Sequence, residues 1–185
     1  MSDESDWLEV PRPTGVSILS ILHLFGGVFF VAYLVFLGVE HDRVAATVNE
    51  LGLPFFLIVV GVAFLAILSF ASGIGMRRGT VWGWWCSTFF YVYAIGRALS
   101  AILTVALLAD EVGLSDRDLV RDYVKYAGRA AISLLLLIYL FRYDVMYYFK
   151  ADEVNKRAAV AIMIGVTIAI AAVVSGVAAL TSSAS

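Results

Sequence analysis

Apolar residues in this chain come in long blocks broken by short charged stretches. Five blocks stand out, at about 15–39, 53–76, 80–109, 127–149 and 158–180. An α-helix needs roughly 20 apolar residues to cross a hydrocarbon core about 30 Å thick. Within lipid each segment must pair its own backbone N–H and C=O groups, so such blocks are helices. The pattern predicts an all-α, polytopic transmembrane helix bundle of about five spans. Residues 1–13 read as a polar tail, 14–181 as a single bundle and 182–185 as a second short tail.

Local signals refine the boundaries. Pro11 and Pro13 favour an extended approach, and Thr14 is placed to cap the first helix. The polar stretch 40–52 has room for a short helix, and Pro54 falls in the first turn of span 2, where a missing N–H costs little. The Arg77-Arg78-Gly79 turn is so short that spans 2 and 3 should be antiparallel neighbours. Gly73-Ile74-Gly75 lacks the third glycine and the strand of a nucleotide fingerprint and reads as a helix end. Span 3 is the longest block. At ~1.5 Å per residue it reaches about 43 Å, so it should tilt or protrude.

Residues 110–128 are the largest polar piece. Ser115 and Asp118 have capping-box spacing, and Leu119, Tyr123 and Tyr126 then recur at helical intervals. Asp116, Arg121, Asp122 and Lys125 populate much of the other face. This predicts a short amphipathic helix on the membrane surface before span 4. Span 4 itself has only Ala130–Phe141 between Arg129 and Arg142. It crosses if both arginines snorkel and Tyr143–Phe149 completes its length; a re-entrant hairpin is the competing arrangement.

Composition narrows the function classes. The chain has 185 residues, 62% of them hydrophobic, with a mean hydropathy of +0.91. A net charge of −2 and a pI of about 5.6 leave no nucleic-acid footprint. Cys86 is the single cysteine, which excludes an intrachain disulfide and a four-cysteine zinc site. The opening residues are acidic and the first apolar block is long, unlike a secretory signal.

With five spans, one side of the membrane carries Arg12, Arg77, Arg78, Arg142, Lys150, Lys156 and Arg157. The other carries Arg43, Arg117, Arg121, Lys125 and Arg129. That excess predicts a cytoplasmic N-terminus in a multi-pass protein of the cell (inner) membrane. Arg77, Arg78, Trp82, Trp84, Trp85, Arg142, Tyr147 and Tyr148 then share one interface and read as its anchors.

Few residues offer chemistry. His23 lies about 10 Å inside the first span, where an imidazole ligates a cofactor, relays protons or simply bonds a neighbouring helix. The other histidine, His41, falls in a polar turn, so no histidine pair is expected for a haem. Met76, Met146 and Met163 read as packing residues, and Cys86 as a small filler. Arg142 and Asp144 would not face each other on a helix, so Asp144 is expected to meet Arg77 or Arg78. In the last span Ala161, Gly165 and Ala169 repeat every fourth residue, as do Ala172 and Gly176. This small-residue face lets two helix backbones approach closely. Arg97 is the costly residue, because a central arginine costs at least about 2.5–3.5 kcal/mol on insertion scales. No acidic residue falls in the expected hydrocarbon core to neutralise it.

Three stretches carry a resemblance: Arg12-Pro13-Thr14-Gly15-Val16, Arg77 to Trp85 (Arg-Arg-Gly-Thr-Val-Trp-Gly-Trp-Trp) and Tyr139-Leu140-Phe141-Arg142-Tyr143-Asp144-Val145. Over Arg12–Phe149 the chain resembles a loose group of uncharacterised small prokaryotic multispanning membrane proteins. The last span looks like an addition, and the group implies no activity or ligand.

The resulting expectation is a non-enzymatic integral membrane protein: a structural or accessory subunit, or a homo-oligomeric scaffold. A small transporter or channel is one alternative, and an intramembrane cofactor protein using His23 is another. No catalytic residue, metal site or cofactor is expected. Membrane lipids, including a bound lipid, and another membrane subunit or a second copy are the expected partners; nucleic acid is not.

Overall fold

The computed structural model describes residues 11–50, 54–112 and 116–182. They form α1 (Thr14–Val39), α2 (His41–Glu50), α3 (Phe55–Arg78), α4 (Val81–Val112), α5 (Asp116–Leu140), α6 (Tyr143–Tyr148) and α7 (Lys156–Ser182). No strand occurs among the described residues. Five helices are long and apolar enough to cross a membrane: α1, α3, α4 through Leu107, α5 from Arg117, and α7. The chain is a multi-pass integral membrane protein, with the helices as a bundle. The acidic opening and Ser115 of the expected capping box lie outside the described residues.

Neighbours in the bundle run α1–α3–α4–α5, with α7 laid on α4. Glycines set the closest approaches. A Cβ at Gly75 on α3 would overlap Gly83 Cα on α4, and one at Gly83 would lie 2.7 Å from Gly75 O. On the other flank of α3, a Cβ at Gly73 would sit 3.0 Å from Ser20 O of α1. Gly73-Ile74-Gly75 is therefore not a helix end. α3 continues through it to Arg78, and each glycine admits a different neighbour. The helix stops at Gly79, whose φ of +60° is left-handed, the conformation glycine adopts without a Cβ penalty.

Span 4 differs most from expectation. The amphipathic stretch is helical and runs without a break into span 4. It is the first half of α5, and the half-buried stripe Leu119, Tyr123 and Tyr126 runs on through Ser133, Leu137 and Leu140. α5 packs along α4, while Val120 and Val124 of the same stretch stay exposed. α5 also ends at Leu140, before the expected Phe149. Arg142 turns extended (φ −65°, ψ 145°), and α6 follows as a separate short helix. Side chains stabilise the break by satisfying carbonyls that the helix would otherwise pair. Trp84 Nε1 donates to Leu140 O at 2.9 Å, and Lys156 Nζ donates to Phe141 O at 2.8 Å.

The largest buried cluster collects at this end of the bundle. Val16, Met76, Trp84, Leu140, Val145, Met146, Phe149 and Met163 are all buried. Lipid tails are as apolar as leucine, so helices gain little from apolar burial at mid-membrane and more from packing where turns converge.

Candidate functional site

The three stretches behind the resemblance meet at this same end. Arg12 donates from Nε to Tyr148 Oη at 3.1 Å and from Nη2 to Arg77 O at 2.7 Å. Tyr148 Oη donates to Met76 O at 3.1 Å, so α6 covers the carbonyl end of α3. Gly15 lies directly under the Tyr139 ring, where any side chain would collide with the hydroxyl. Trp84 has no exposed surface and packs edge-to-face on Phe141, with centroids 5.2 Å apart. It is a lock between α4 and α5 rather than an interface anchor. Trp82 and Tyr147 are exposed. Arg77 and Arg78 close α3, and Trp85 is half-buried against the cluster. Arg142 Nε reaches Asp144 Oδ1 at 3.2 Å. The expected Arg77 or Arg78 pairing is replaced because Arg142 precedes α6 in extended conformation, which removes the helical spacing argument. This end is a structural latch.

His23 is buried in the α1 face that meets α3 and α4. Its ring lies edge-on to Phe90 at 4.8 Å and Tyr91 at 5.5 Å. Its Nε2 has no partner among the described residues, and the same holds for Ser69 Oγ and Ser72 Oγ on α3. The hydrogen bond to a neighbouring helix is absent at Nε2, and aromatic rings take its place. Among the described residues no group of three or more His, Cys, Asp or Glu is placed to hold a metal.

Arg97 has a different setting. It is exposed and lines two clefts. The first, about 480 Å³, is walled by α4 and α5 and lined by Tyr93, Arg97, Tyr126, Arg129 and Ser133 among apolar residues such as Phe30 and Leu65. The second, about 430 Å³, is lined by Tyr33, Leu57, Ile58, Gly61, Tyr93, Arg97 and Val174. No carboxylate lines either one. Among the described residues Arg97 has no hydrogen bond or ion pair.

Depth is where counting along one helix misleads. Arg97 is about 22 Å from Trp82 along α4. Yet Leu57, Ile58 and Gly61 belong to the first two turns of α3, which begins at Phe55. Arg97 therefore lies in the half of the bundle away from the latch, and α4 continues past it to Val112.

Arg129 joins Arg97 in the first cleft, with its guanidinium carbon 5.9 Å from the Tyr126 ring centroid. By sequence Arg129 bounds the apolar core of span 4 and would snorkel from it, with no link to Arg97. The signal that links it to Arg97 is the stripe Tyr126, Arg129 and Ser133, one helical turn apart on α5.

No protein-family model, curated protein or solved structure matches this chain.

On α7 the small-residue face stands apart from the bundle. Ala161, Gly165, Ala169, Ala172 and Gly176 are all exposed, and a Cβ at Gly165 or Gly176 would meet nothing within 4 Å. Contact with α4 runs through Ala159, Met163 and Thr167, roughly the opposite side of a helix with 3.6 residues per turn. Ala161 borders a groove shared with Leu134 and Ile138 of α5, and the stretch from Gly165 to Gly176 is left open among the described residues.

Proposed function

We propose that this protein is a non-enzymatic component of a membrane complex, a structural or accessory subunit or a self-associating scaffold. The free small-residue face of α7 carries the reading. Small residues at four-residue spacing give two backbones a close approach, and within lipid that contact is a main source of helix association. Here the bundle's own helices leave the face open, so its complement is another membrane protein or a second copy. Gly165→Leu should disrupt that assembly, whereas Ile162→Leu, off the face, should leave it intact. The comparison is particle size in gentle detergent together with the proteins that co-purify. Equal behaviour of the two variants would mean that the face meets only lipid.

The proposed orientation has the latch end and the N-terminus in the cytoplasm, supported by the excess of lysine and arginine there. Five crossings put the two chain ends on opposite sides. Reporter fusions at both ends check this, and the same compartment at both ends refutes five crossings. A small transporter or channel is the second reading, favoured by the position of Arg97 between two clefts. Uptake of a charged solute into vesicles holding the protein alone would support it.

A further inference from the structure

Arg97 and Arg129 approach the same cleft from different helices, and no carboxylate lines it. Two guanidiniums near each other repel unless an anion or water lies between them, and low-dielectric surroundings sharpen that repulsion. Tyr93, Tyr126 and Ser133 line the same space, and a hydroxyl is a neutral donor. The planar fork of arginine matches the oxygens of a phosphate, and several such donors converging make the match selective. The remaining lining (Phe30, Leu65, Phe90 and Ile132) is apolar, which suits an acyl chain beside the charged group. The cleft lies in the half of the bundle away from the latch.

We propose that the Arg97–Arg129 cleft binds a phosphate group, carried by an anionic phospholipid of that leaflet or by a free phosphate from the aqueous side. The anion neutralises Arg97, which no residue of the described chain does, and holds α4 to α5 at this end. The groove at the latch end, lined by Arg142, Lys156 and Arg157, is also cationic and provides an internal control for non-specific charge attraction.

The test uses the full chain, delipidated and placed in phosphatidylcholine nanodiscs. One arm adds phosphatidylglycerol and measures retained lipid by native mass spectrometry. The other adds radiolabelled inorganic phosphate and measures equilibrium binding. The proposal expects saturable binding in at least one arm, at least tenfold weaker in Arg97→Gln and in Arg129→Gln, and unchanged in Arg157→Gln. Binding of phosphatidylglycerol without competition by inorganic phosphate assigns a lipid headgroup; competition assigns a free anion. If Arg97→Gln fails to fold by thermal melt, Arg129→Gln and the cleft-filling Ser133→Phe decide. Absence of binding in both arms overturns the proposal. So does equal binding by the cleft variants, or neutralisation of Arg97 only by the carboxylate of a co-purifying protein.

Discussion

Replacing Gly75 with alanine adds one methyl group at the tightest crossing in the bundle. The new Cβ would overlap Gly83 Cα and lie 2.9 Å from Trp82 Cζ3 and 3.1 Å from Gly83 N. Two of those neighbours are backbone, so no side-chain rotation relieves the contact and α3 must move away from α4. Overpacking of this kind costs about 1–3 kcal/mol. Alanine returns up to about 1 kcal/mol of helix propensity. Gly61→Ala, on the same helix, gains the same propensity and meets nothing within 4 Å. The two variants should therefore differ by about 1–3 kcal/mol, with Gly75→Ala the less stable. Gly83→Ala should resemble Gly75→Ala, and the double variant should cost less than the sum, because the helices need to separate only once. Reversible unfolding in mixed micelles of mild and denaturing detergent measures all four. Equal stability of Gly75→Ala and Gly61→Ala would refute the backbone crossing.

Trp84→Phe removes the indole donor and leaves Leu140 O unpaired, so it should destabilise by about 1–2 kcal/mol, whereas exposed Trp82→Phe should stay within about 0.5 kcal/mol by the same unfolding assay. Gly79→Ala should cost about 1–2 kcal/mol by the same assay, because a Cβ strains the left-handed turn and comes within 3.1 Å of Tyr148 O. Tyr148→Phe removes the hydroxyl shared by Met76 O and the Arg12 guanidinium. Amide exchange at Gly79 and Thr80 should rise while the amides of α5 stay protected; uniform loosening would count against a local latch.

The blocks of apolar residues determined by themselves that this chain is a multispanning helix bundle, because the bilayer leaves few other ways to pair a backbone. The short Arg77–Gly79 turn likewise settled that spans 2 and 3 are antiparallel neighbours, and Met76, Met146 and Met163 are buried as packing residues. Only the tertiary structure decided where span 4 ends. That break depends on Trp84 and Lys156, which meet the Leu140 and Phe141 carbonyls from other helices and leave no mark in the local pattern. It also decided that Trp84 is core while Trp82 is surface, two residues that a belt of tryptophans makes look alike. The pairing of Arg97 with Arg129 was hidden for a similar reason. The two arginines stand on different helices, and a common cleft exists only once α1, α3, α4 and α5 are placed side by side. The face of α7 shows the complementary limit. Its spacing of small residues was visible in the chain, but the opposite side of α7 meets α4, and that packing is what leaves Gly165 and Gly176 open.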